Sequence, residues 1–313
     1  MNRIKLAIIG IKGIPAQYGG FETCVDETSR KLIKKDLDIT VYNRKVLFKK
    51  TSSNYQGINL KYISNINTKN LATITATFVS VIHVILSKAN IVHIYVSGNS
   101  IFIPILKLFG KKCVISVDGL DWKRKKWGNF ASKYIKYSEF IAVKFADSII
   151  SDSQYICDYY KNKYNRSIDY VPFGANIPEL KMNNDITKYD LTKNRYFLFV
   201  GLFRSEKNVD FLINAFNQAE TNDFKLVLIG DDPINPKHVK YIHSLKTDKI
   251  IFLGRIYGDD YVKISSSAYC YISASEVEGT SPALVAAMGF KTPVLVSDIA
   301  ENLETIGTYG ITF

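Results

Sequence analysis

Short apolar runs alternate with longer stretches of helical periodicity along most of the chain. In the first half the apolar runs are residues 5–9, 39–42, 60–63, 91–95, 113–117, 148–150 and 169–171. Helical patterns fall between most of them, at 21–34, 71–87, 101–109, 130–145 and 154–164. The runs are rich in Val and Ile and mostly continuous, which is the pattern of strands covered on both faces. Strand and helix in alternation predict a parallel, doubly wound sheet. Residues 172–194 break the rhythm with Pro172, Gly174, Pro178 and a polar Asn/Asp/Lys run, and predict a linker. The alternation then restarts. Strands fit 196–200, 226–229, 250–252, 268–272 and 293–296, and helices fit 208–219, 236–245, 259–266 and 282–288. The prediction is α/β: two Rossmann-like domains, 1–175 and 176–313, with ligands at the strand carboxyl ends facing a cleft between them. No helix is legible after residue 296. The second half stops at Gly310-Ile311-Thr312-Phe313 in another strand or turn, and has the look of a shortened domain.

Composition narrows the function classes. The 313 residues are 47% hydrophobic and 22% charged, enough for two buried cores. The net charge is +12, which suits nucleic acid, an anionic membrane face or anionic substrates. Abundant Lys, Asn, Ile and Tyr also fit plain compositional bias. No nucleic-acid-binding motif is present, so nucleic acid is not an expected partner. Cys24, Cys113, Cys157 and Cys270 form no CxxC pair, which argues against a zinc site or a disulfide framework. The first apolar run is too short for a signal peptide, so a cytoplasmic location is expected. Residues 71–86 are interrupted by Thr73, Thr75, Thr77, Ser80 and His83, and predict a buried helix rather than a membrane span. His83, His93, His238 and His243 have no partner at ligand spacing and are expected in structural roles, with no metal.

Four loops carry the candidate chemistry. Residues 10–23 run from a strand through a glycine-rich loop into a helix near Gly20, which brings backbone N–H groups close to a phosphate. The spacing is not GxGxxG, and the second strand ends in Tyr42-Asn43-Arg44 rather than an acid, which disfavours a dinucleotide site. Residues 199–208 place Arg204 and Lys207 just past a strand end, in reach of a diphosphate. In residues 117–128, Asp118 and Asp121 are candidate acids or bases. The basic run 123–126 lies between Trp122 and Trp127. That run suits a phosphorylated lipid acceptor at a membrane face, with a nucleic-acid patch or a solvated loop as alternatives. Residues 275–289 predict strand end, loop and helix: Thr280 or Ser281 caps, Pro282 opens the first turn, and Gly289 marks the exit. Glu278 sits beside that anion-binding helix start. A carboxylate there suits a ligand with both phosphates and hydroxyls, such as a nucleotide-sugar.

Residues 13–23 and 118–127, with Glu206-Lys207-Asn208 and Glu278-Gly279-Thr280-Ser281-Pro282-Ala283-Leu284, resemble a GT-B glycosyltransferase of retaining family 4. The nearest likeness is to the bacterial rhamnosyltransferase-like branch of surface polysaccharide synthesis. The resemblance implies sugar transfer from a dTDP-, UDP- or GDP-linked donor to a lipid-diphosphate-linked saccharide, at the inner face of the membrane and without a metal or cofactor. It places Gly19 and Gly20 near the donor diphosphate and Lys207 against it. Glu278 would hold sugar hydroxyls, and the amides of Gly279, Thr280 and Ser281 would lie near the phosphates. Two positions depart from the family pattern. Ala286 stands where a second acid would hold the ribose, and Leu202 stands where an Arg usually follows the glycine, with Arg204 two residues on. The alternatives are an inactive subunit of the same fold and a sugar-nucleotide epimerase or phosphorylase.

Overall fold

The computed structural model describes residues 3–17, 19–48, 51–66, 68, 71–117, 119–123, 127–176, 185–233 and 235–313. The chain divides into two compact units, Met1–Val171 and Pro172–Phe313.

The first unit runs β1 (Lys5–Ile9), α1 (Gly20–Ile33), β2 (Asp38–Arg44), β3 (Asn54–Tyr55), β4 (Ile58–Ile63), α2 (Ala72–Ile85), β5 (Ile91–Tyr95), α3 (Ile103–Leu108), β6 (Lys112–Val117), α4 (Asn129–Phe145), β7 (Ser148–Ser151), α5 (Gln154–Tyr164) and β8 (Asp169–Tyr170). Its sheet has the order β3-β4-β2-β1-β5-β6-β7-β8. The pairings are parallel except β3 with β4, a tight hairpin through Gln56 and Gly57, both at positive φ. That hairpin was not legible in the sequence. Successive side chains of β1 point to opposite faces. Ala7 and Ile9 join a core with Val81 and Val84 of α2 and Ala142 of α4, while Leu6 and Ile8 join Val25 of α1 and Val41 of β2. Helix α2 corrects the expectation of a fully buried helix. Ala76, Thr77, Ser80, Val81 and Val84 face the sheet, but Phe78 and Ile82 are about half exposed.

The second unit runs β9 (Tyr196–Val200), α6 (Val209–Gln218), β10 (Lys225–Ile229), α7 (Pro236–Ser244), β11 (Ile250–Gly254), α8 (Gly258–Ser266), β12 (Cys270–Ser273), α9 (Pro282–Gly289), β13 (Val294–Val296), α10 (Ala300–Ile306) and β14 (Ile311–Thr312). Its sheet, β11-β10-β9-β12-β13-β14, is parallel throughout. Three expectations change here. A helix does follow residue 296: α10 buries Ile306 and Asn302, and Asn302 Nδ2 donates to Ser297 O at 3.0 Å. Part of the expected linker belongs to the core, since Ile186 and Leu191 pack with Tyr196, Leu198 and Ile264. Gly289 is the last helical residue rather than the exit. The left-handed residue is Lys291, at φ 62°. Thr292 N–H bonds to Ala287 O at 3.0 Å and Lys291 N–H to Met288 O at 2.9 Å, the Schellman pattern.

Strand order reverses between β1 and β5 in the first sheet and between β9 and β12 in the second. The carboxyl ends of these neighbours are where ligands bind in such sheets, because the two following connections leave to opposite faces and open a crevice.

Candidate functional site

In the second unit the crevice is formed by the loops after β9 and β12. A Cβ at Gly230 would run into the carbonyl of Gly201, so glycine there lets the end of β10 press against the β9 loop. A 3₁₀ turn over Ser205–Lys207 follows, and Asn208, left-handed at φ 48°, starts α6. Two bonds stitch this loop to the next: Asn208 Nδ2 donates to Ala274 O at 3.1 Å, and Glu276 N–H donates to Glu206 O at 2.9 Å.

That stitching brings Lys207 and Glu278 together, 71 residues apart in sequence, as a hydrogen-bonded ion pair. Their side chains keep only 19% and 11% of their exposure. Ser275, fully buried, donates its hydroxyl to Glu278 Oε1 at 2.8 Å. Ser297 in turn donates to Ser275 O at 2.5 Å. Beneath the pair, burial and then the Glu278 charge push the Tyr271 hydroxyl far up, so it stays protonated. Ser281, not Thr280, caps α9: its Oγ accepts from Leu284 N–H at 3.5 Å, and Pro282 opens the helix. Gly279, Thr280 and Ser281 therefore lie between the carboxylate and a helix start, which attracts negative charge. Arg204 lies one turn away, its Nη1 4.0 Å from Glu206 Oε1. Ala286 is half-buried on α9. The sequence reading missed Ser275, Ser297 and Asn302. Small polar residues near strand ends carry no pattern until the fold stacks them.

In the first unit the glycine-rich loop is held by its own neighbours. Lys12 N–H donates to Glu22 Oε1 at 2.9 Å, Ile14 N–H to Asn43 Oδ1 at 3.1 Å and Ala16 N–H to Asp26 Oδ2 at 2.8 Å. Those three N–H groups are satisfied internally, which corrects the picture of the whole loop as a phosphate cradle. Gly19 and Gly20 remain at the start of α1. Asp121 is buried in a short 3₁₀ turn, Asp121–Lys123. Trp122 beside it lies under Lys136, whose ammonium is 4.0 Å from the ring centroid. Asp118 and residues 124–126 of the basic run lie outside the described residues. Among the described residues no helix is long and apolar enough to cross a membrane, and no group of three or more His, Cys, Asp or Glu is placed to hold a metal ion. His83 and His93 are hydrogen-bonded within the unit, to Tyr42 at 3.0 Å and Ser116 at 2.8 Å.

Two doubly wound parallel units are the architecture of the GT-B glycosyltransferases, and solved structures match it over nearly the whole chain. Sucrose-phosphate synthase from Thermosynechococcus elongatus superposes with a TM-score of 0.80 at 19% identity, covering 99% of this chain and 86% of that one. HepE of Anabaena, solved with UDP-glucose, gives 0.76 at 15% identity, covering 99% and 85%. Residues 3–176 match the family described as "Domain of unknown function (DUF1972)", and the chain belongs to that family. Residues 182–311 match "Glycosyl transferases group 1", so the second unit is a glycosyltransferase domain. Among curated relatives, D-rhamnosyltransferase WbpZ of Pseudomonas aeruginosa is 26% identical over 120 residues, 38% of this chain. The "uncharacterized glycosyltransferase MJ1178" of Methanocaldococcus jannaschii is 29% identical over 203 residues, 64% of this chain. The matches span 31% and 51% of those relatives, so the chain covers about a third to a half of the curated proteins it matches.

Proposed function

We propose that the protein transfers a sugar from a nucleotide-sugar to a lipid-diphosphate-linked saccharide, with retention, in surface-polysaccharide assembly. The observation that carries this reading is the Lys207–Glu278 pair at the β9/β12 crevice, beside the capped start of α9. In the structure the two charges satisfy each other. A nucleotide-sugar offers both a better partner: its diphosphate to Lys207 and the helix start, its hydroxyls to Glu278, which Ser275 holds in place. As the sugar–phosphate bond breaks, negative charge grows on the departing diphosphate, where Lys207, Arg204 and the N–H groups of residues 279–281 stabilise it. The acceptor hydroxyl attacks from the same face and gives its proton to the departing phosphate. The second unit thus holds the donor and the first unit the acceptor. In this reading Gly19 and Gly20 are donor-binding candidates, and Asp118 and Asp121 are acceptor-side candidates.

Rhamnose is the candidate sugar, supported by the sequence branch and by the name of the Pseudomonas relative. The neighbour HepE, solved with UDP-glucose, supports a nucleotide-sugar donor. Ala286 favours dTDP, whose deoxyribose has one hydroxyl fewer for a missing acid to hold. The acceptor reading puts the protein at the cytoplasmic membrane face, against anionic lipid. Phe130, Tyr137 and Phe140 line α4 with Lys133 and Lys136 at helical spacing, and all three aromatics are exposed. Aromatic and cationic side chains on one helix face suit a lipid–water boundary.

Calorimetric titration with dTDP-, UDP- and GDP-sugars tests the donor, and transfer by Lys207→Ala tests the site. Binding of one donor class with loss of turnover in the variant is expected. Near wild-type transfer by Lys207→Ala would sink the assignment. Ala286 also favours a second reading, an inactive subunit, which predicts that no nucleotide-sugar binds.

A further inference from the structure

A buried cation of the first unit is left incompletely paired. Arg44 ends β2 and keeps 8% of its exposure. Its main-chain N–H donates to Lys12 O at 2.9 Å, and its Nη2 donates to Thr73 Oγ1 at 3.0 Å, in the first turn of α2. Its Nε is buried and has no hydrogen-bond partner among the described residues. Among the described residues no carboxylate lies within ion-pair distance of it. Burial lowers its pKa from the usual value, and the charge of Glu22 opposes that shift from farther away. Glu22 is itself engaged, accepting from Lys12 N–H.

The neighbouring polar groups are better provided for. Asn43, also buried, spends both ends of its amide on Ile14, accepting from N–H at 3.1 Å and donating to O at 2.7 Å. A guanidinium stays charged when buried, and an unfilled donor out of water is costly. The setting suits an incoming anion. Arg44 lies at the carboxyl end of a parallel strand, against the start of the 14-residue helix α2, whose dipole adds positive potential there. The planar fork of an arginine matches phosphoryl oxygens in pairs.

We propose that Arg44 and the start of α2 form an oxyanion site of the first unit that takes a phosphoryl group. Arg44, Thr73 and α2 all belong to the first unit. The ligand of the site is either free phosphate or the diphosphate of a lipid-linked molecule.

The test is calorimetric titration of the full chain with pyrophosphate, with ionic strength held constant by NaCl because a chain of charge +12 attracts anions unspecifically. Arg44→Gln is expected to weaken one class of sites by about tenfold or more, the worth of a charge-assisted hydrogen bond. The same loss is expected in a Lys207→Ala background. Arg44→Lys keeps the charge without the fork and should lie between, and it serves if the Gln variant does not fold. An isotherm unchanged by Arg44→Gln in a folded protein overturns the proposal. Parallel titrations with inorganic phosphate and with farnesyl diphosphate in detergent assign the source. Preference for the prenyl compound marks a lipid-linked ligand, and equal affinity marks a free one. A failed donor assignment appears as absent nucleotide-sugar binding and leaves the Arg44 effect in place.

Discussion

Lys207 and Glu278 each answer the other's charge in a poorly hydrated place, and this decides what a substitution there does. Lys207→Ala leaves a buried carboxylate with the Ser275 hydroxyl but no cation. Stability should fall by about 2–3 kcal/mol, near the lower end for breaking a buried pair because some water reaches both side chains. Adding Glu278→Gln removes the stranded charge. The double variant should regain most of the stability in urea denaturation while staying inactive in transfer. If it is no more stable than Lys207→Ala alone, the pair is not the electrostatic unit described. Ser275→Ala acts on the same carboxylate more gently. Losing the 2.8 Å bond should cost about 1 kcal/mol and raise the donor KM more than it lowers kcat, because Glu278 remains but is no longer held.

Helix α9 shows how the local code sets an element and where it was misread. Ser281 and Pro282 start it as their chemistry requires. Its end turns on an exposed lysine in the left-handed region, at a position where glycine has no Cβ penalty. Lys291→Gly should therefore stabilise the second unit by about 1 kcal/mol, read as a rise in its melting temperature, and a fall would contradict the Schellman assignment. The sequence suggested Gly289 because a glycine near a helix end is the usual signal, and here the pattern runs two residues further. The long Val/Ile strands and their helices were legible because each repeats its pattern over several residues. The β3–β4 hairpin and α10 were not, because a two-residue strand and a seven-residue helix repeat too little. The Lys207–Glu278 pair was half legible: each residue stood out in its loop, but their contact depends on strands β9 and β12 being neighbours across the sheet reversal. Arg44 gave no signal, since an arginine after a strand is ordinarily solvated, and only the packing of α2 reveals that this one is not.

Across the molecule, the two units have separate cores, and the first carries a partly buried histidine that makes its stability depend on pH. His93 lies on β5 in mid-sheet, its ring stacked on Tyr95 at 4.4 Å and its Nε2 bonded to Ser116 Oγ at 2.8 Å. Burial lowers its pKa from 6.5 to about 4, so the folded chain holds it neutral where the unfolded chain protonates it. Between those values the unfolded state binds more protons, and stability rises with pH. The contribution is therefore complete above pH 6.5, declines as the pH falls, and is fully lost below about 4. Growing repulsion in a chain of charge +12 destabilises it in acid as well, so acid sensitivity alone does not identify the residue. His93→Gln does, because the amide can keep the bond to Ser116 and does not titrate. Calorimetry from pH 8 to 4 should show the first-unit transition falling more steeply in the wild type than in His93→Gln below pH 6.5, with the same slope in both proteins above pH 7. Parallel curves for the two proteins would remove His93 as the cause and leave general charge repulsion to explain the acid loss.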